Sequence, residues 1–125
     1  MGSKSSQDPS ELLTEVIING IQEKKGNEII CLDLREIPNG IADFFIVCHG
    51  DSDRQVEAIA DSVIEMTEME LDDSPWHKEG FENKDWILLD YVTVVVHIFH
   101  KNARDFYNLE TLWADAKKKV IEYQK

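Results

Sequence analysis

Cysteine is scarce in this chain, with only Cys31 and Cys48 among 125 residues. The two form no CxxC pair and no Cys/His zinc spacing, and both sit in apolar segments. That pattern fits buried free thiols better than a disulfide frame. Cations are short as well. Thirteen Lys and Arg against 25 Asp and Glu leave a formal charge of −12, so a phosphate backbone repels the chain as a whole. The one basic run, Lys117-Lys118-Lys119, lies near the C-terminus, where it would complement the carboxyl end of a last helix. No apolar run approaches the roughly 20 residues of a membrane-spanning helix. The longest, residues 92–99, is broken by Thr93 and His97. Residues 1–10 are polar and lack the apolar stretch of a secretory signal, so a cytoplasmic location is expected. Proline and glycine number only three and six, with no interior linker and no repeat. A disordered lead over 1–9 and one domain over 10–125 are therefore expected.

What is present is clear hydrophobic patterning. Ser10 reads as an N-cap, and Leu12, Leu13, Val16, Ile17 and Ile21 recur at helical spacing up to Lys24-Lys25-Gly26. Residues 28–34 alternate as a strand, with Ile30, Leu32 and Leu34 on one face and Ile29, Cys31 and Asp33 on the other. Pro38-Asn39-Gly40 reads as a turn, and residues 41–48 (IADFFIVC) as a central strand buried on both faces. Ser52 followed by Gln55 is a capping-box signature, and Val56, Ile59, Ala60, Val63 and Ile64 supply a second helical stripe. The acidic stretch 65–73 reads as a connection and 76–81 as a short edge strand. Residues 86–91 and 92–99 read as two strong strands, and 108–123 as a last helix carrying Leu109, Leu112, Trp113, Ala116, Val120 and Tyr123 on one face. The expected fold is a mixed α/β sheet of four to five strands flanked by helices.

Catalytic chemistry finds little support. Thiols inside apolar strands keep their protons. Ser52 opens a helix after a strand, but Gly50-Asp51-Ser52-Asp53 lacks the second glycine of a nucleophile elbow. A metal-dependent nucleotidyltransferase using Ser52, Asp51 and Asp53 is the alternative reading. It lacks a paired-carboxylate strand to hold Mg²⁺. His97 and His100 are three apart, which sends them to opposite faces of a strand. No glycine-rich loop forms a dinucleotide fingerprint, and no aromatic residues alternate with cations as an RNA-stacking surface would require. No cofactor or metal is expected. Trp86, Asp90 and Tyr91 flank an apolar strand, and Trp and Tyr are common interface anchors.

Several stretches together resemble the ribosomal silencing factor (Iojap-like) family. Ala42-Asp43-Phe44-Phe45-Ile46-Val47 is similar to its AD-aromatic strand. Gly50, Ser52, Arg54-Gln55-Val56 and Ala58-Ile59-Ala60-Asp61 are similar to its G-x-S-x-RQV-x-AIAD helix opening. Glu79-Gly80, Trp86-Ile87-Leu88-Leu89-Asp90-Tyr91 and Val94-Val95-Val96-His97-Ile98-Phe99 resemble EG…WVLLDYGDVVVHVF, and Tyr107, Leu109, Glu110, Leu112 and Trp113 its Y-x-LE-x-LW close. Val92-Thr93 departs from the Gly-Asp common in the family. The resemblance implies a nucleotidyltransferase-like core without transferase chemistry. It also implies a translational repressor docked on the large ribosomal subunit, through the conserved protein that faces the small subunit (the fourteenth of the universal set). Such docking would block subunit association. The resemblance further implies frequent homodimers. Trp86, Leu88, Asp90 and Tyr91 are the expected partner-binding residues.

Overall fold

The computed structural model describes residues 8–38 and 40–122. Asp8 and Pro9, assigned to the lead from sequence, begin the first helix. The rest of that lead, Asn39 of the turn and Tyr123 lie outside the described residues. Helix α1 spans Pro9–Glu23 and is capped by Asp8, whose carboxylate accepts from the Ser10 N–H. The expected cap, Ser10, is instead buried one position inside, with its hydroxyl donating to Asp43. Proline at the first helical position loses only an N–H that has no helical acceptor, which favours this earlier start. Leu13, Val16, Ile17 and Ile21 point inward, whereas Leu12 turns out to solvent.

The end of α1 also differs from expectation. Lys25, not Gly26, takes the left-handed conformation (φ 60°). The Lys25 and Gly26 N–H groups return to the Gln22 and Ile21 carbonyls, as in a Schellman closure. Gly26 is required for space: a Cβ there would lie 2.4 Å from the Ile21 side chain.

Strand β1 (Asn27–Asp33) leads to β2 (Phe44–Gly50), then α2 (Asp53–Leu71), β3 (His77–Glu79), β4 (Trp86–Asp90) and β5 (Val94–His100). Helices α3 (Lys101–Tyr107) and α4 (Leu109–Leu112) precede a last strand, β6 (Lys117–Val120). The sheet has six strands in the order β3-β4-β5-β2-β1-β6, against the four to five expected. Only β2 and β5 run parallel, with α2, β3 and β4 in the connection between them. The mixed α/β architecture is as expected, with a layer of α1 and α2 on one face.

Ser52 caps α2, its hydroxyl accepting from the Gln55 N–H, while the Gln55 amide accepts from the Asp51 N–H. The acidic segment read as a connection belongs to this helix through Leu71. Glu65, Glu68 and Glu70 sit on its solvent side, and Thr67 turns inward. The two helices press closely, because Gly20 meets the Val63 backbone and its carbonyl accepts from the Ser62 hydroxyl at 2.7 Å.

Two further expectations are corrected. The helix expected over 108–123 is a short α4 followed by β6, which pairs antiparallel with β1. Helical spacing at 109, 112, 113 and 116 is real, but the open edge of β1 offers ladder hydrogen bonds that decide the later residues. The lysine run therefore protects a sheet edge rather than closing a helix. Second, β4 and β5 are joined by Tyr91-Val92-Thr93, in which the Thr93 N–H bonds the Tyr91 carbonyl around Val92 at φ 77°. A β-branched residue is strained there. Val92→Gly is expected to raise stability by about 1 kcal/mol, read as a higher urea midpoint; an unchanged or lower midpoint would contradict the strain.

Candidate functional site

Strand alternation divides the expected partner-binding residues between two faces. Ile87, Leu89 and Tyr91 face α1 and α2, whereas Trp86, Leu88 and Asp90 face the opposite side. Tyr91 is only 7% exposed, and its hydroxyl lies 2.9 Å from the Thr67 hydroxyl. Burial pushes its pKa up to about 12. Tyr91 thus anchors β4 to α2 and does not share a surface with the other three.

The opposite face is covered unevenly. Leu109, Trp113 and Ala116 pack over Phe45, Val47, Ile30 and Leu32, so the β2–β1 half is closed. Toward β4 the cover ends, leaving Trp86, Leu88 and Asp90 half-buried on a shelf. Trp86 donates its indole N–H to His97 Nδ1 at 3.1 Å and packs against Phe99 and Tyr107, with ring centroids 5.0 and 4.8 Å away. Leu88 stands between Glu79 and His97 in register. Asp90 Oδ1 accepts from the Val92 N–H at 2.8 Å, holding the strained turn. Gly80, at φ 91°, lets the chain reach this shelf, because a Cβ there would lie 2.0 Å from the Trp86 carbonyl oxygen.

Sequence reasoning missed the aromatic extension of this shelf. Phe106 is 81% exposed and touches Tyr107, which packs on Trp86, so three rings form a continuous ridge. Its signal is the Phe106-Tyr107 pair, which falls before the helix expected over 108–123, whereas the structure places it in α3. Arg104 was missed too. It is buried, donating to the Asn27 carbonyl, to His49 Nδ1 at 2.9 Å and to Glu110 at 2.9 Å. This guanidinium ties α3 and α4 to the ends of β1 and β2.

His97 fills the floor of the shelf, edge-on to Phe45 at 4.6 Å. Its Nδ1 accepts from Trp86, so the neutral ring carries its proton on Nε2, which has no partner among the described residues. Burial holds its pKa down at about 3. Between that value and 6.5 the unfolded chain binds a proton that the folded chain does not. Stability should therefore fall by roughly 2 kcal/mol from pH 7 to pH 5. His49, also depressed by burial and by Arg104, adds to the same trend. Urea titrations of wild type and His97→Gln check this: the variant should show a shallower pH slope, and an identical slope would contradict it.

The residues of the alternative reading do not assemble a reactive site. The Ser52 hydroxyl is occupied as a helix cap, and Asp51 accepts from the Asn27 amide. Ser52, Asp51 and Asp53 are all exposed, and the described residues hold no cluster of three or more metal-ligating side chains. Cys31 and Cys48 are free and buried, with pKa values pushed up by burial to about 11 and about 12. No helix among the described residues is long and apolar enough to cross a membrane.

Fold and shelf define an α/β domain with a mixed six-stranded sheet, long helices on one face and a half-covered aromatic face on the other. A family model described as "Ribosomal silencing factor during starvation" matches residues 6–125, and the chain belongs to that family. It is 41% identical over 104 residues to the ribosomal silencing factor RsfS of Halalkalibacterium halodurans, covering 83% of this chain and 87% of that protein. An X-ray crystal structure of a Chromobacterium violaceum protein superposes with a TM-score of 0.79 at 32% identity, covering 94% of this chain and 95% of that one. A mouse protein named for mitochondrial assembly of the ribosomal large subunit is 30% identical over 73 residues, covering 57% of this chain and 32% of that protein.

Proposed function

We propose that this protein represses translation by docking on the large ribosomal subunit and sterically blocking its association with the small subunit. The partner is the conserved large-subunit protein at the subunit interface, and the docking surface is the shelf of Trp86, Leu88 and Asp90. Tyr91 contributes from behind by fixing β4 against α2. The observation that carries this reading is the half-open sheet face, where apolar and aromatic side chains stand half-buried on strand β4. Rigid aromatic and aliphatic anchors of this kind dominate protein interfaces. Family membership and the large-subunit name of the mouse relative support a ribosomal partner. Charge agrees: a chain of −12 is attracted to a basic ribosomal protein and repelled by the RNA around it. The action is occupancy of a surface in the cytoplasm, with no reaction and no cofactor.

The test is binding of the purified chain to the isolated interface protein, measured beside a melting curve. Leu88→Glu is expected to weaken binding at least about tenfold, since a carboxylate would be desolvated at the contact, with little change in melting. Unchanged affinity in a folded variant would remove the shelf as the docking site.

A further inference from the structure

At the end of the sheet opposite Arg104, the start of α1, the end of α2 and the β4–β5 turn enclose a cleft of about 260 Å³. Leu12, Leu13, Leu71 and Tyr91 give it apolar walls, and Asp73 and Thr93 stand among them. Its surroundings are apolar and open. Leu12, expected in the core, faces solvent at 39% exposure, and Val92 at the turn is 58% exposed. Trp76, 79% exposed, is tied by its N–H to the Asp90 carbonyl beside the same turn.

Val92 sharpens the case. Its backbone is strained at φ 77°, where glycine would sit without cost, yet its branched side chain projects into solvent. Such a residue does little for folding, and it stands between the lining residues Tyr91 and Thr93 with an exposed apolar side chain.

The charge lining the cleft has one sign, and Arg35, which reaches the start of α1, is paired there with Asp8 and Glu11 and also with Asp33. No Lys, Arg or His lines it, whereas Asp73 does, and Asp43 is hydrogen-bonded to the lining residue Ser10. Glu68 stands on α2 before Leu71, and the charges of Asp73 and Glu68 both act on the Tyr91 hydroxyl, after burial itself. This surroundings repels phosphate and anionic lipid and attracts cations.

We propose that this cleft is a second docking site, one that takes an apolar side chain presented between lysines or arginines on a partner protein. The apolar walls receive the side chain, while Asp73 and its neighbours meet the flanking cations. The proposal does not depend on the shelf at Trp86, which lies on the other face and toward the other end of β4.

The experiment titrates the isotopically labelled full chain with the capped peptide Lys-Lys-Leu-Lys-Lys and follows backbone amide shifts. Two control peptides replace Leu by Ser, or every Lys by Glu. Saturable shifts centred on Leu12, Leu71, Tyr91 and Val92 are expected, with the Ser peptide about tenfold weaker and the Glu peptide silent. Asp73→Lys should weaken binding about tenfold, and it should fold normally because a cation suits a helix C-terminus. Val92→Gly should weaken binding several-fold while melting no lower than wild type. Equal affinity for the Leu and Ser peptides would overturn the proposal, as would shifts confined to the acidic face of α2 or to Trp86 and Leu88. Two folded variants that bind like wild type would overturn it as well.

Discussion

Arg104→Ala is expected to destabilise the protein by about 3 kcal/mol or more, because removing one partner of a buried ionic network strands the others. The loss would leave the Asn27 carbonyl, His49 Nδ1 and the Glu110 carboxylate without their shared donor at the junction of β1, β2, α3 and α4. Arg104→Lys should rescue only part of it, since one ammonium cannot reproduce the planar fork that reaches His49 and Glu110 together. Glu110→Gln, which keeps an acceptor at the more exposed end of the pair, should cost less than either. Urea unfolding of the three variants gives the order directly. A midpoint for Arg104→Ala within experimental error of wild type would show that α3 is held by packing alone. The consequence for function follows from Tyr107, which α3 carries onto Trp86.

Trp86 is expected to show the largest effect on binding. Truncation to alanine removes its packing on Phe99 and Tyr107 and leaves His97 Nδ1 without its donor. Stability should drop by about 3 kcal/mol, at the low end for a large-to-small aromatic change because the ring is only half-buried. Affinity for the interface protein, measured well below the lowered melting temperature, should fall roughly 30-fold, as for an anchor worth about 2 kcal/mol. Trp86→Phe separates the two roles. It keeps an aromatic surface for the partner but loses the N–H bond to His97, at about 1 kcal/mol of stability. Retained affinity in Trp86→Phe with a lowered melting point supports an aromatic anchor. A Trp86→Ala variant that binds like wild type while still folded would make Trp86 a packing residue only.

Much of this molecule was legible in its residue pattern. Ser52 and Gln55 announced the start of α2, and the apolar runs announced β2, β4 and β5, because each depends on neighbours in sequence. Elements decided by distant partners were not. Lys117-Lys118-Lys119-Val120 becomes a strand only because β1 leaves an edge open beside it. The acidic end of α2 stays helical because Thr67 binds Tyr91, 24 residues away, while its carboxylates face water. The split of Trp86, Leu88 and Asp90 from Tyr91 follows from strand alternation alone. Residues contiguous in sequence along a strand do not form one patch, since neighbours point to opposite faces. Arg104 carries no local signal, since its partners come from Asn27, His49 and Glu110 in three separate elements.

The central claim is tested most directly by co-sedimentation of the purified protein with free large subunits and, separately, with assembled ribosomes. It should travel with free large subunits, fail to travel with assembled ribosomes, and dissociate progressively as salt screens the attraction between acidic protein and basic partner. Equal co-sedimentation with assembled ribosomes would contradict a block on subunit joining.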